Sequence, residues 1–435
     1  MPTTTSSLRF VRIIQAGLLA LVALMPFHAF LTTWLGTTLG HRAAVQSWKE
    51  VLLIGLALVG AGLAWHDPAY RRRWRAPWVY LAAGLAACAV LVTLVALSRQ
   101  AVTPSQALLG AKIDLEFLVA GLLTTLVAGQ RFSRWLIWTT IGAGVAVSVF
   151  VLMQVYVWPV NFLSQFGYGP TTILPFQYVD AAKTLRYAGT LGGPNQLGAY
   201  LIIPLSLTAA LTTSRRRRWW LLGTPLMLFA LYYSFSRSAW VGALASLALL
   251  LIWLVPRRWR WPVTGSLLGL LGAGAAVIWQ QLASHPQLQH QLLHTTLEQR
   301  ANPSTSSAEH VASLLDGLST VARHPLGQGL GSAGPATIRT GQSYVIENQF
   351  LQVGAEAGWL GLGLFVLLLG WLVRQLRHSA LQPWGTALAA ALVGISVGGL
   401  FIPTWDDSTT ALVAFTLAGS LAGLTGGSRV KPNPV

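Results

Sequence analysis

Apolar stretches of about 20 residues recur along almost the whole of this 435-residue chain. A helix needs roughly that length to cross the ~30 Å hydrocarbon core of a membrane, because each helical residue adds only about 1.5 Å. Hydrophobic residues make up 54% of the sequence and charged residues 9%, a balance that soluble domains do not have. The sequence therefore predicts an all-α polytopic membrane protein.

The apolar runs predict about twelve transmembrane helices. They lie at about 10–35, 45–65, 78–98, 106–129, 135–157, 194–213, 219–234, 238–255, 262–281, 347–373, 382–402 and 409–427. The first run is long enough to span and lacks a small-residue cleavage site, which favours a helix over a signal peptide. We expect a bundle of nine spans at 1–281, an outward loop with short helices at 282–346, and three spans with a tail at 347–435.

Basic residues between the runs predict the orientation of the chain. With the N-terminus inside, 19 of the 29 basic residues are cytoplasmic. Of the 12 acidic residues, Asp67 alone falls on that side. The cytoplasmic set is Arg9, Arg12, Arg71–Arg73, Arg75, Arg131, Arg134, Arg215–Arg218, Arg257, Arg258, Arg260, Arg374, Arg377, Arg429 and Lys431. The rule that positive residues stay inside thus explains the net charge of +17 without nucleic acid.

Two arginines fall at the outward ends of predicted spans. Arg186 closes the first long outward segment just before Asn195 begins a span, and Arg237 lies at a turn between two runs. One such arginine would be explained by snorkelling to headgroups or by pairing with Asp180 or Glu347. Two on one side, in glycine- and serine-rich surroundings, predict a site for an anionic group.

Glu347 begins the span that follows the outward loop. A carboxylate at this point caps the helix or, if partly desolvated, accepts a proton from a sugar hydroxyl, and the sequence leaves both roles open. His310 and His324 in the loop are further candidate bases. The sequence has no HExxH, DxD or clustered Cys/His signature, so we expect a mechanism without a metal or cofactor.

Other polar features receive structural interpretations. Lys49, Glu50, Lys112 and Glu116 lie within spans, and Lys112 and Glu116 share a helix face, which predicts ion pairing. In the outward loop, leucines at 288–297 and apolar residues at 311–321 predict two amphipathic helices. The glycines of 327–331 follow no predicted strand, so we interpret them as a turn of close approach rather than a phosphate loop.

The order and the side of these motifs resemble the O-antigen ligase and O-antigen polymerase family over about residues 186–425. The motifs are Arg186-x-x-Gly189 with Gly193-Pro194-Asn195, Tyr233-Ser-Phe-Ser236-Arg237-Ser-Ala-Trp240, His324-Pro325-Leu-Gly-Gln-Gly-Leu-Gly331, and Glu347-Asn348-Gln-Phe-Leu351 with Glu356-Ala-Gly358. Each motif alone is weak, but their order on one side of the membrane is specific.

The resemblance implies a glycosyltransferase of the bacterial cytoplasmic (inner) membrane, with both termini cytoplasmic and an outward-facing site. Its donor would be an undecaprenyl-diphosphate-linked oligosaccharide held by Arg186 and Arg237, and its acceptor a glycan or lipid-glycan. Asn195, His310, His324 and Asn348 would contact the substrates. Glu347 stands where the family's ligases have a histidine base, which argues against a ligase that uses lipid A-core and leaves a polymerase or another glycan-transferring member open.

Two other classes stay open at this point. A transporter or flippase for lipid-linked glycans would also have about twelve spans and embedded charges, although we find no inverted repeat. A binding or assembly subunit would use Glu347 only as a helix cap.

Overall fold

The computed structural model is a bundle of α-helices and describes residues 5–179, 184–213, 221–284, 306–341 and 344–426. The helices are α1 (Thr5–Leu24), α2 (His28–Thr38), α3 (Arg42–Gln46), α4 (Trp48–His66), α5 (Pro68–Arg71), α6 (Pro77–Ser98), α7 (Pro104–Leu126), α8 (Gln130–Tyr156), α9 (Pro194–Ala209), α10 (Gly223–Tyr233), α11 (Arg237–Leu254), α12 (Arg260–Ser284), α13 (Ser306–Arg323), α14 (Pro335–Arg339), α15 (Gln349–Leu376), α16 (Trp384–Gly398) and α17 (Ser408–Gly426). Short 3₁₀ turns lie at Met25–Phe27, Arg72–Arg75, Phe162–Phe166, Ala210–Thr213 and Arg257–Trp259. Strands β1 (Gln177–Tyr178) and β2 (Leu185–Arg186) form one antiparallel pair.

Within the described ranges, six helical segments are long and apolar enough to cross a membrane. They are Ser7–Thr38, Trp48–His66, Pro77–Ser98, Gln130–Tyr156, Arg237–Leu254 and Gln349–Leu376. Helices also cover the remaining predicted runs, but several of these are shorter or carry more charge. An all-helical, multi-pass membrane protein is therefore confirmed, whereas the number of twelve spans and the three-part division of the chain stay predictions.

Helix α9 lies at the centre of the bundle. Its residues from Leu197 to Thr208 are buried, and it packs against α8, α10, α11, α16 and α17. Glycines let neighbouring helices approach closely, because a side chain at Gly242 of α11 would meet the backbone of Gly394 in α16. Gly419 of α17 meets the backbone of Gly121 in α7 in the same way.

We call the end of the bundle at which α9, α11 and α15 begin the outward end, following the predicted orientation. There α13 packs along the first half of α15: Gly317 fits against Leu351, and the Trp359 indole donates to the carbonyl of Val321 at 2.9 Å. The apolar residues at 311–321 thus form the helix that their spacing predicts. The predicted helix at 288–297 lies outside the described residues.

The glycine turn fits into a kink in α15. Gly358, with a φ of +72°, interrupts the helix, and Gly327, with a φ of +84°, approaches its backbone so closely that a side chain would collide. Both φ values belong to the left-handed region that favours glycine. The backbone N–H groups of Gln328 and Gly329 donate to carbonyls of Ala355 and Glu356 at 2.8 and 2.9 Å. The prediction of a turn of close approach is confirmed.

The charges within the spans pair between helices. Lys49 of α4 lies 2.6 Å from Glu116 of α7 and 2.8 Å from Glu50, while Lys112 lies 2.7 Å from Glu50. Structural pairing is therefore confirmed, but Lys112 pairs with Glu50 rather than with Glu116 on its own helix. The reason is that α4 packs against α7 and presents both members of its Lys-Glu dipeptide to it.

Candidate functional site

The two arginine motifs predicted from the sequence lie side by side. The extended strand β2 runs along the turn between α10 and α11, where the N–H of Tyr187 donates to the carbonyl of Tyr233 at 3.1 Å. The Nε of Arg186 donates to the carbonyl of Ser234, also at 3.1 Å. Phe235 in this turn has a φ of +47°, an uncommon conformation for a non-glycine residue that marks a constrained backbone.

Asn195 holds the guanidinium of Arg186. The Nη2 of Arg186 donates to Oδ1 of Asn195 at 2.8 Å, and Asn195 is fixed in the first turn of α9. Burial, and then the positive charge of Arg237, lowers the pKa of Arg186 to about 10. The group stays protonated at neutral pH, so two cations lie close enough to repel one another. A bound anion would relieve that repulsion.

The N-termini of α9 and α11 meet beside these arginines. Gly198 of α9 lets the first turn of α11 approach, since a side chain there would collide with Ala239. Neither N-cap residue, Gly193 or Ser236, caps its helix through a side chain. First-turn N–H groups that no cap side chain accepts, together with the positive ends of two helix dipoles, are favourable for a phosphate.

Glu347 lies where α13 contacts the start of α15. Its N–H donates to Oγ of Ser313 at 2.9 Å. The cap of α15 is the next residue, Asn348, whose Oδ1 accepts the N–H groups of Phe350 and Leu351 at 3.0 Å each. The interpretation of Glu347 as the helix cap is therefore wrong, because the asparagine that follows performs this role.

The end of α16 connects the Glu347 region with the arginine region. Gly398 packs against the carbonyl of Ser238, the second residue of α11. The adjacent Gly399 and Leu400 accept hydrogen bonds from the N–H of Gln349 and the amide of Asn348 at 2.8 and 2.9 Å. The starts of α11 and α15 thus flank the same short segment, one on each side.

The two histidines lie at opposite ends of α13. His310 is one turn from Ser313, the contact of Glu347, although its side chain is outside the described residues. His324 follows the last turn and is exposed. At about 1.5 Å per residue, α13 carries the chain roughly 16 Å from Ser313 to His324. The structure does not bring His324 to Glu347.

Two buried carboxyl groups, Asp114 and Glu356, lie close together behind the site. Their pairing was not predicted from the sequence. Glu356 of α15 accepts the N–H groups of Gly331 and Ala333 through Oε1 at 3.0 and 3.3 Å. Asp114 of α7 hydrogen bonds to the same carboxyl group. The pair fastens the glycine turn to the bundle, and its signal in the sequence was an acidic residue within each of two predicted spans.

Asp406 continues this cluster toward the start of α15. Its two oxygens accept the side-chain amides of Gln349 and Gln352 at 3.0 and 2.7 Å, and burial raises its pKa despite these bonds. A cavity of about 30 Å³, the size of one water, is lined by Asp114, Glu356, Gln349 and Trp405 among others. Within the described ranges, no group of three or more His, Cys, Asp or Glu side chains is arranged to hold a metal ion.

These features describe a multi-pass membrane protein in which two arginines and the starts of two helices lie close together at one end of the bundle. Residues 222–366, about a third of the chain, match the family model described as O-antigen ligase. The matched region contains Arg237, the glycine turn and Glu347, whereas Arg186 and Asn195 precede it. The match confirms the resemblance to the O-antigen ligase and polymerase family and supports membrane glycan processing of that type. A comparison with curated proteins finds no match.

Proposed function

We propose that this protein is a glycosyltransferase that transfers or polymerises oligosaccharide units from an undecaprenyl-diphosphate-linked donor to a glycan acceptor. The reaction takes place at the outer face of the bacterial cytoplasmic membrane. The observation that carries the proposal is the juxtaposition of Arg186 and Arg237 at two helix N-termini. Each of these features favours a diphosphate, and all of them lie at the same end of the bundle.

The arginines stabilise the leaving group. When the bond between the anomeric carbon and the diphosphate oxygen breaks, that oxygen keeps the electron pair and its negative charge grows. The planar guanidinium groups of Arg186 and Arg237 match phosphate oxygens, and the dipoles of α9 and α11 add positive potential. The hydrogen bond to Asn195 orients the guanidinium of Arg186 for this contact. Positive charge supplied in this way makes the departure independent of a metal.

Glu347 is the base that activates the acceptor. An acceptor hydroxyl attacks the anomeric carbon from the face opposite the diphosphate, so configuration inverts, and its proton passes to the Glu347 carboxylate. The bond to Ser313 and the cap formed by Asn348 hold the backbone of Glu347. Because both ends of the Asn348 amide are engaged in these structural bonds, we assign it to positioning rather than to substrate contact. His310, one turn from Ser313, is the nearer of the two histidines for contact with the acceptor.

In this proposal the acceptor is a growing glycan. Glu347 replaces the histidine that the ligases of the resembled family use, which favours the polymerase class over transfer to lipid A-core. A lipid-linked glycan flippase is the rival class. It would move a labelled donor across proteoliposomes without lengthening the glycan, whereas the proposed enzyme lengthens it without moving it.

The first prediction tests the arginines. Purified protein, supplied with a lipid-diphosphate oligosaccharide in the presence of a chelator, should form longer glycans. Arg186→Ala and Arg237→Ala should each lower turnover by about 10²-fold or more, the scale at which a charge-stabilising group acts. Arg186→Lys should also be impaired, because an ammonium keeps the charge but loses the planar fork. The measurement is the chain length of the product against time.

Arg99→Ala is the matched control, since Arg99 is an exposed arginine at the outward end but belongs to neither motif. It should keep wild-type turnover. A double variant of Arg186 and Arg237 to alanine that is present in the membrane at normal level and fully active would contradict the diphosphate assignment.

A further inference from the structure

A basic pocket opens at the end of the bundle opposite to the glycan site. It has a volume of about 500 Å³ and lies between α5, the following 3₁₀ turn and the first turn of α6. Its lining consists of Pro68, Arg71, Arg72, Trp74, Arg75 and Tyr80. Three of these six residues are arginines, and the proposed glycosyltransferase reaction uses none of them.

The pocket wall is fastened to the bundle. The guanidinium of Arg73 donates to the carbonyls of Leu126 and Ala128 at 3.1 and 2.9 Å, which satisfies the carboxyl end of α7. The indole of Trp74 donates to the carbonyl of Leu122 at 3.0 Å. Arg73 also lies over the ring of Tyr70, at 5.0 Å from its centroid. These contacts hold the backbone of the turn and thereby place the three neighbouring arginines around the pocket.

In the part of the chain that the structure describes, Asp67, the acidic residue closest in sequence, forms no ion pair with Arg71, Arg72 or Arg75. Asp67 is engaged as the N-cap of α5, where its Oδ1 accepts the N–H of Ala69 at 2.9 Å. Helix α6 begins beside the pocket without a side-chain cap, so its positive dipole end adds to the potential. Arg71, Arg72 and Arg75 therefore form a cationic cradle whose planar groups match phosphate oxygens.

The surroundings of the pocket place it at a lipid surface. Apolar side chains of α4 such as Ile54 and Leu58 are exposed on the bundle, as expected where lipid replaces water. Near the pocket the exposed residues become aromatic: Trp65 is 81% exposed and Tyr80 63%. Such rings are typical of the level of the headgroups, where an apolar body and a polar tip are both accommodated.

We propose that this pocket binds the phosphodiester headgroup of an anionic phospholipid in the leaflet at that end of the bundle. The phosphate lies among Arg71, Arg72 and Arg75, the hydroxyl of Tyr80 reaches the headgroup, and the acyl chains run along the exposed apolar surface of the bundle. The site is independent of the glycan site and fits a lipid better than a free anion, because Tyr80 of its lining is exposed on the same helix as apolar side chains such as Leu91.

The test uses the full-length protein in neutral detergent micelles, with bound lipid counted by native mass spectrometry. The probes are phosphatidylglycerol, cardiolipin and, as the uncharged reference, phosphatidylcholine. The wild type should retain the anionic lipids selectively. A triple variant, Arg71→Gln, Arg72→Gln and Arg75→Gln, should weaken retention of phosphatidylglycerol by tenfold or more, because each basic residue near a lipid surface contributes about 1 kcal/mol.

The matched control is Arg257→Gln, Arg258→Gln and Arg260→Gln, which removes three charges from the same end of the bundle but outside the pocket. It should change retention by less than twofold. An equal loss in both triple variants would overturn the pocket and leave only a general effect of surface charge. Inorganic phosphate that displaces the lipid at comparable concentration would overturn the lipid assignment in favour of a free anion.

A folding defect is separated from a binding defect by the single variant Arg75→Glu. It keeps Arg73 and Trp74, the two anchors of the turn, and should elute as a monodisperse protein while losing selectivity for anionic lipid. A monodisperse Arg75→Glu protein with unchanged selectivity would contradict the proposal.

Discussion

Glu347 comes directly before a helix in the sequence, but in the structure it does not cap that helix. The sequence allowed it to be either the cap of its helix or a base, and the structure gives the cap to Asn348. The N–H of Glu347 is tied to Ser313 of another helix, so the residue occupies a junction between two elements. The role of proton acceptor is the remaining proposal for its side chain.

The second prediction concerns this carboxylate. Glu347→Gln keeps the size of the side chain and removes the proton acceptor, so turnover should fall by about 10²-fold or more while donor binding changes little. Glu347→His should retain partial activity, with a pH profile that rises through the titration range of an imidazole, near a pKa of about 6.5. The measurements are initial rates at saturating donor and acceptor across pH 5–9, roughly the range that brackets that titration.

Asp316→Asn is a suitable control, because Asp316 is an exposed carboxylate on α13 in the same part of the protein. It should leave turnover unchanged. Wild-type turnover in Glu347→Gln would refute the base assignment and direct attention to His310.

At the scale of elements, the glycine turn and the kinked helix α15 form one unit. Gly327 packs into the break at Gly358, and the carboxyl of Glu356 gathers the N–H groups of Gly331 and Ala333. The same helix begins at Asn348, directly after Glu347. The turn thus stabilises the element that positions the proposed base.

The third prediction separates backbone strain from close packing in this unit. Gly327→Ala must adopt a φ of +84°, and its Cβ would lie 2.5 Å from the backbone nitrogen of Gly358. We expect the strain to cost roughly 1–3 kcal/mol and the collision a similar amount again. The apparent midpoint of thermal unfolding in detergent should fall markedly.

Gly341→Ala provides the comparison, since Gly341 has the same φ of +84° but no neighbouring atom within 4 Å of the position that a Cβ would take. It should show only the smaller loss that backbone strain produces. Equal destabilisation in the two variants would show that the contact between the turn and α15 contributes nothing.

For the molecule as a whole, the orientation in the membrane decides which end of the bundle meets which substrate. Cytoplasmic basic clusters predict that the arginine site faces outward, and the donor of the proposed reaction is then reached from the outer leaflet. The proposed lipid pocket lies at the opposite end, among the basic clusters. One topology therefore underlies both proposals.

The fourth prediction tests that topology by labelling in intact cells. Replacing the single cysteine, Cys88, by alanine permits one new cysteine at a time. A cysteine at Arg323, exposed at the end of α13, should react with a membrane-impermeant maleimide, and one at Arg258 should react only after permeabilisation. Cells that carry the Cys88→Ala protein alone supply the background. Labelling in the reverse pattern would remove the basis of the outward glycan site.

Properties that depend on local composition could be predicted from the amino-acid sequence. Hydrophobicity averaged over about 20 residues is enough to predict helices in a membrane, and the uneven basic clusters are enough to predict an orientation. The spacing at 311–321 predicted α13, and the glycines at 327–331 predicted a tight turn. The ordered motifs also indicated the family before any contact was known.

Only the tertiary structure decided which of these residues meet. Arg186 bonds to the carbonyl of Ser234 across 48 residues of chain, and Lys49 pairs with Glu116 across 67, distances at which no helical period relates two side chains. The packing of helices around α9 and α7 decides which side chains are neighbours. A buried charge is stable only when it pairs with an opposite charge or a polar group, and the neighbouring helix supplies that group. For the same reason the Asp114 and Glu356 pair could not be read from either span alone, since the two carboxyl groups meet only where α7 and α15 line the same small cavity.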